Sequence, residues 1–424
     1  MKKILEPFQV AGAATLAANP HYLLADEPGL GKTLQAIRAA ELVGSRRTLV
    51  ICPASVRANW ETEIKECGGD WDQWDVISYN GAKHLVGMNA PYDVLILDEV
   101  HFLKTIDSQR TQSIFGAGGV ARQAHFKWAL SGTPVLNRPR ELYPMLKTLC
   151  PAFAGMSFDR FAQRYCGAFF DGRGINTKGA THLDELAVLL QGFMLRRTAL
   201  EVFPGRVEPL VHRVPLDLTQ EDLKEVNALE DEIGGREMRI SSRYEEFSQL
   251  GDTSRLLRLL GNAMIPHIVG FVDDLLATVD KVVVFAYHRD VIARLQSQFT
   301  DKGYCPCVFV GGMSDWDKMG VVRSFNETPR SRVFIGQRDA AGIGINGLQT
   351  VCSTCVIAEP PWVPGATDQM IKRLDRMGQT DPLVNAYILY ARNTLSAVVV
   401  QVHDRKDLVV HKLMDKRMSL AWEL

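Results

Sequence analysis

The chain has 424 residues, 46% of them hydrophobic, enough for at least two globular domains with cores of their own, which excludes a disordered or fibrous protein. With 48 Lys+Arg against 49 Asp+Glu, the net charge of −1 neither predicts nor excludes a polyanionic partner, so any such binding is local. Residues 101–200 carry 13 Lys+Arg against 6 Asp+Glu, a modest sign of a phosphate-facing surface, whereas residues 213–262 carry 7 against 11.

The opening MKKILEPFQVAGAATLAA imitates a secretory signal, but Glu6, Pro7 and Gln9 interrupt the apolar core that such a signal needs. No apolar run is read as approaching the roughly 20 residues of a membrane span, so the chain is expected to be soluble and cytosolic, with no membrane partner. In chain order, HYLL precedes a glycine-containing loop and the helical pattern KTLQAI follows it. The β-rich runs TLVICP, DVLILDE and KWALSGT then alternate with helical patterns. VEPLVHRVPLDL reads as the final strand of this first lobe. Residues 219–262 are polar, charged and free of proline, and read as protruding helices.

A second block repeats the alternation with KVVVFAY, CVFVGG, SRVFIG and TCVIAEP. Residues 395–424 read as a helix or two that return as a brace. The expected fold class is α/β, with parallel sheets in lobes 1–218 and 263–394 and a helical insertion at 219–262. There is no tandem repeat or low-complexity tract. The 8 cysteines do not suggest a disulfide framework. Cys305 with Cys307 and Cys352 with Cys355 have the short spacing of a zinc site but run into CVFV and VIA, so they read as core strand residues.

HYLLADEPGLGKTLQAI has the strand, loop, helix context of a phosphate loop, although Asp26 stands where the usual pattern begins with glycine. The chemistry does not need that glycine. Gly29 and Gly31, with Leu30 between them, let backbone N–H groups approach phosphates, Lys32 adds a cation, Thr33 offers a hydroxyl to Mg²⁺, and the following helix N-terminus favours an anion. Further on, YDVLILDEVHFLK is an apolar strand ending in paired carboxylates. In phosphate-loop ATPases such a pair divides the work: Asp98 would hold Mg²⁺ and Glu99 would polarise the attacking water.

LLADEPGLGKT resembles the first motif of the Swi/Snf-type ATPases of helicase superfamily 2, commonly D-E-M-G-L-G-K-T, with Pro28 here in place of methionine. LEPFQ resembles the Gln motif, which implies that Gln9 reads adenine, although Glu6 stands where arginine is frequent. VICPASVRANWETEI resembles the motif in which the first lobe touches a DNA backbone, and DEVH the D-E-x-H box, with His101 coupling to nucleotide state. LSGTPVLNRPREL resembles the third motif, in which Ser131 and Thr133 couple nucleotide state to lobe movement. RYCGAF and FMLRRTALEVFP resemble the remodeller-type continuation of that motif.

In the second lobe VVVFAYHRDV resembles motif four, FVGGMS the segment after it, and DAAGIGINGLQTV the fifth motif, which contains Gly344. QMIKRLDRMGQ resembles the sixth, implying that Gln369, Arg373 and Arg376 serve ATP. Lys372 stands where an acid is common and Asp375 where histidine is common. The family's fold is two RecA-like lobes, and the sequence is most similar to its annealing-helicase and fork-remodelling branch.

The resemblance implies a double-stranded-DNA-dependent ATPase and translocase that uses ATP and Mg²⁺ and remodels or anneals branched DNA or displaces bound proteins. Ser55, Arg57, Lys104 and Ser314 are the expected phosphate contacts, because a motor that tracks any sequence gains nothing from reading bases. Trp60 reads as a core aromatic, and His288 as a nucleotide sensor or a satisfied core histidine. A monomeric motor is expected, targeted by itself or by a recruiting protein, and cytoplasmic in a bacterium or phage-infected host or nuclear in a eukaryote. The competing readings are a strand-separating helicase, for which residues 170–182 are the one candidate wedge loop, an RNA-directed motor, and a catalytically silent DNA-binding scaffold.

Overall fold

The apolar runs become strands of two parallel sheets, and alternation along each strand sends its side chains to opposite faces. The computed structural model describes residues 4–87, 91–135, 137–172, 174–203, 205–232, 251–339 and 345–414. The chain divides into two compact units, Met1–Pro204 with Lys406–Leu424, and Gly205–Arg405.

The first unit contains β1 (His21–Leu24), β2 (Thr48–Cys52), β3 (Trp74–Ser78), β4 (Tyr92–Asp98), β5 (Ala124–Leu130) and, after a two-stranded hairpin of β6 (Phe169–Phe170) and β7 (Ile175–Asn176), β8 (Met194–Leu195). Its sheet runs β3-β2-β4-β5-β1-β8 with every neighbouring pair parallel. Leu23, Leu49, Ile51, Leu95 and Leu97 face one apolar cluster, and Leu24, Val50, Val94, Ile96 and Trp128 face the other. Burial on both faces explains why β4 is nearly all apolar. β4, β5 and β1 are neighbours, so the segments leaving their C-terminal ends meet at one edge of the sheet, where open α/β sheets place their ligands.

The second unit contains β9 (Leu210–Leu216), β10 (Val282–Ala286), β11 (Cys307–Phe309), β12 (Val333–Gln337), β13 (Thr354–Ile357) and β14 (Asn385–Ala391). Its sheet is also parallel throughout, in the order β11-β12-β10-β13-β14-β9. Val282, Val284, Ile335 and Val356 point to one core, and Val283, Phe285, Phe334 and Ile357 to the other. Cys307, Cys352 and Cys355 are buried in the latter core.

Three expectations are corrected. VEPLVHRVPLDL does form a strand, but β9 pairs with β14 at the edge of the second sheet, so the first unit ends near residue 204 and not at 218. Pairing partners far away in the chain decide which sheet a strand joins. Residues 219–262 are helical where described, in Lys224–Glu232 and the start of Gly251–Leu276, yet they do not protrude: Val226, Leu229, Leu256 and Leu260 pack into the second core. Residues 233–250 of that insertion lie outside the described residues. Finally, Thr253–Leu276 is apolar enough, at a mean hydropathy of 1.3 over a window within its 24 residues, to span a membrane by length and composition. Its Met264, Ile265, Ile268 and Val272 are instead buried against the sheet. The C-terminal segment forms one helix, Leu395–Met414, and residues 415–424 lie outside the described residues.

Candidate active site

The loop between β1 and the helix Lys32–Leu42 turns on two glycines in the left-handed region, Gly29 at φ 89° and Gly31 at φ 71°. Lys32 folds back over the loop and donates to the carbonyls of Asp26 at 2.8 Å and Glu27 at 3.2 Å. Burial lowers the pKa of its ammonium, and Glu99, Asp26 and Asp98 oppose that shift. Gln9 is brought to this loop: its Nε2 donates to the Leu30 carbonyl at 3.2 Å, and its Oε1 accepts from the Glu6 N–H at 3.0 Å, so Glu6 acts as the cap of the first helix.

Asp26, expected with the rest of the glycine loop at ATP, turns its carboxylate inward, where it is fully buried. Arg197 places Nε 3.0 Å from Oδ1 and Nη2 against Oδ2, and Gln35 Nε2 donates to Oδ2 at 3.0 Å. The same guanidinium donates to Gln35 Oε1 at 2.7 Å and to the Phe8 carbonyl. A glycine at position 26 would leave this largely covered cation without a carboxylate. Next to it, Arg196 donates to the carbonyls of Ala25 at 3.1 Å and Gly132 at 3.3 Å. A Cβ on Gly132 would lie 2.6 Å from the Pro28 ring, so the proline of the loop and the glycine of LSGTP require one another's shape. Sequence reasoning gave the two arginines no role. Their adjacency in FMLRRTALEVFP was the available signal.

At the end of β4, Asp98 accepts from Trp60 Nε1 at 2.7 Å and from the Glu99 N–H at 3.0 Å, while Tyr79 donates its hydroxyl to the Asp98 carbonyl at 2.7 Å. Trp60 is a core aromatic as expected, fully buried, yet its indole N–H also aims this carboxylate. Burial, then repulsion from Glu99, pushes the Asp98 pKa up to about 6 against the Trp60 hydrogen bond. Glu99 adopts φ 52°, a conformation that L residues disfavour, and turns Oε2 to 3.3 Å from both His101 Nδ1 and Ser131 Oγ. His101 Nδ1 is 3.2 Å from Ser131 Oγ, which accepts the Thr133 N–H at 3.2 Å. Glu99, His101, Ser131 and Thr133 thus form one continuous polar chain across β4 and β5.

Ser55 and Arg57 follow β2, and Lys104 follows the adjacent β4, so all three leave the sheet by the same edge. Arg57 is exposed and pairs with Glu61 at 3.1 Å, and Lys104 lies 3.8 Å from Glu141. Ser314 caps the helix Asp315–Glu327, accepting from the Asp317 N–H at 3.1 Å. In the second unit, Gln369 lies on the helix Pro364–Ile371, and Arg373 and Arg376 both donate to the Ile345 carbonyl, at 3.2 and 3.3 Å. Burial, then Arg373, lowers the Arg376 pKa to about 9. His288 is held by Glu359, with Nδ1 2.6 Å from Oε1, while its buried Nε2 has no hydrogen-bond partner among the described residues, so it is only half of the satisfied core histidine expected. Gly344 lies outside the described residues.

Two outcomes follow. Asp26→Gly, which writes the usual leading glycine, should lower stability by about 3–5 kcal/mol because Arg197 loses its buried carboxylate; urea unfolding measures this, and a wild-type midpoint would contradict it. Because the folded pKa of Asp98 is raised above 3.8, its stabilising contribution is complete below that value and is lost as pH rises through about 6. Without divalent metal, wild-type stability relative to Asp98→Asn should therefore fall by about 2 kcal/mol between pH 4 and pH 7. Parallel pH profiles of the two proteins would refute the assignment.

The description of the SNF2-related domain family matches residues 14–84 and 74–239. The human DNA annealing helicase and endonuclease ZRANB3 is 29% identical over 97% of this chain and 40% of its own length. The SWI/SNF-related matrix-associated actin-dependent regulator of chromatin subfamily A-like protein 1 of Xenopus tropicalis is 29% identical over 92% of this chain and 43% of its own. The chain therefore spans about two fifths of the length of these curated relatives. A solved SWI2/SNF2 ATPase core of Sulfolobus solfataricus in complex with dsDNA aligns with 100% of this chain and 96% of its own at 20% identity and a TM-score of 0.44. The matched family region runs over more than half of the chain and takes in the glycine loop, the Asp98–Glu99 pair and Ser131–Thr133, and the chain belongs to the SNF2-related domain family.

Proposed function

We propose that this chain is an ATP-dependent translocase on double-stranded DNA, which hydrolyses ATP to move along the duplex and to remodel or anneal branched DNA or displace bound proteins. The observation that carries this reading is the meeting of Lys32, Asp98, Glu99 and the His101–Ser131–Thr133 chain at the C-terminal edge of β1, β4 and β5, in a member of the SNF2-related family. Its relatives, a DNA annealing helicase among them, support DNA as the substrate class.

In this reading Gly29, Leu30 and Gly31 present backbone N–H groups to the phosphates and Lys32 neutralises them. Glu99 orients and deprotonates the attacking water, and its contacts to His101 and Ser131 hold the carboxylate for that task. The donor set suits Mg²⁺, which keeps several waters and takes one or two carboxylates with substrate phosphates. Thr33 and Asp98 would hold it, and the crowding of two carboxylates that raises the Asp98 pKa is what a divalent cation relieves. Bound there, it supplies charge neutralisation to the β- and γ-phosphates. Arg373 and Arg376 are assigned the remaining neutralisation, a contribution worth about 10³ to 10⁵ in rate in phosphate-loop enzymes. Ser55, Arg57, Lys104 and Ser314 are assigned to DNA phosphates, with Arg57 and Lys104 exchanging their carboxylate partners for the backbone.

Steady-state hydrolysis without nucleic acid and with single strands, blunt duplex, duplex RNA and a branched fork tests the reading. Strong activation by duplex or fork DNA is expected, with Glu99→Gln lower by at least about 100-fold. Activation by none of them would leave the silent-scaffold reading.

A second reading, strand separation, gains support from the hairpin β6–β7, which overlaps the candidate wedge loop 170–182 and pairs Phe169 with Asn176 and Phe170 with Ile175. Its apolar side chains stand in solvent, Phe169 at 59% exposure, Phe170 at 72% and Ile175 at 67%. Exposed aromatic rings of this kind can stack on unpaired bases, worth about 1–3 kcal/mol per base. If the hairpin splits strands, Phe169→Ala with Phe170→Ala should abolish fork unwinding and leave duplex-stimulated hydrolysis intact. Equal unwinding by both proteins would dismiss this reading.

A further inference from the structure

The sixth-motif segment departs twice from the common pattern, and the structure makes the two departures partners. Lys372 ends the helix Pro364–Ile371, and its Nζ lies 2.6 Å from Asp375 Oδ2, one helical turn on. Where an acid precedes a histidine in the common pattern, a cation here precedes an acid: the polarity is reversed but a pair remains. Asp375 is only 4% exposed, so its charge depends on these neighbours. Its second oxygen lies 3.1 Å from Arg206 Nη2, a residue that sequence reasoning did not single out. That same Nη2 donates to the backbone carbonyl of Arg376 at 2.7 Å. The Arg376 guanidinium in turn is held by the Ile345 carbonyl and by Asn346 Oδ1, and its buried Nε has no hydrogen-bond partner.

A chain of contacts therefore runs from Lys372 to Asp375, to Arg206, to the backbone of Arg376. We propose that Asp375, Lys372 and Arg206 form a positioning cluster that sets Arg376 for ATP hydrolysis, and that the two departures are a single compensated exchange of charge order. Asp375 is the hub, because both cations bind its one carboxylate, and Arg206 is the arm, because it grips the Arg376 main chain. None of the three is a catalytic residue, since each acts through Arg376. The inference rests on the hydrolytic reading above.

The test compares wild type, Lys372→Asp, Asp375→His, the double variant and Arg206→Lys, measuring kcat, KM for ATP at saturating duplex DNA, and Tm. Lys372→Asp puts two carboxylates side by side, and Asp375→His leaves three basic groups together. Each single variant should lower kcat by about tenfold or more while KM stays within about twofold, because an arginine that acts only in the transition state leaves ground-state binding alone. The double variant restores an acid-and-imidazole pair but leaves Arg206 facing the imidazole, so it should recover kcat only in part, well above the product of the two singles, a non-additivity that residues outside one cluster do not show. Arg206→Lys keeps the charge but removes the planar guanidinium whose Nη2 contacts both Asp375 and the Arg376 carbonyl, and should lower kcat at unchanged Tm.

Single variants with wild-type kcat, or a double variant as slow as its singles multiplied, overturn the inference. Should either single fail to fold, Arg206→Lys decides, since wild-type kcat in that protein overturns the cluster. A wild type with no DNA-stimulated hydrolysis overturns the motor reading itself, whereas an active wild type with unaffected variants overturns only this step.

Discussion

The ion pair between Asp26 and Arg197 is the constraint on which the shape of the first unit's glycine loop depends. Two charges removed from water hold only when geometry and extra hydrogen bonds compensate their desolvation, and here Gln35 and the Phe8 carbonyl provide those bonds. The pair joins three pieces of chain: the first helix, the glycine loop with its helix, and the segment of β8 that follows the third motif. Arg196 adds Gly132 to the same assembly. Loop glycines free to take left-handed angles are otherwise a source of disorder, and this bracket converts their freedom into one shape.

Within that frame, the edge that carries Asp98 and Glu99 is arranged against stability. Asp98 and Glu99 are adjacent, and burial together with their mutual repulsion raises the Asp98 pKa. Trp60 and Tyr79 fix the two ends of Asp98, its side chain and its carbonyl, so the residue cannot relax away from its neighbour. Lys32 pays part of the same desolvation, lying close enough to both acids to offset it. Sites built to bind a polyanion and a cation carry such unbalanced charge before either arrives.

Much of this was legible in the chain. Continuous apolar runs marked β2, β4 and β10 to β13, because strands buried on both faces leave little room for polar residues. β3 was harder: WDVIS alternates buried Trp74 and Val76 with exposed Asp75, a weak signal over five residues. β9 was recognised as a strand but placed in the wrong sheet, since its partner β14 begins 175 positions later and nothing local encodes that pairing. The direction in which Asp26 points was equally hidden, as Arg197 lies 171 residues away. The motif spacing located Lys32, Asp98 and Ser131, while their supports, Trp60, Arg196 and Arg197, became visible only as contacts.

Glu99 at φ 52° holds a further meaning. A non-glycine residue in that region costs on the order of 1 kcal/mol or more, and its carboxylate adds repulsion to a buried neighbour. Glycine or asparagine would relax the backbone there, and either would remove the charge. In the hydrolytic reading proposed above, that charge faces the attacking water, so a strained torsion and a crowded carboxylate are held together for one task.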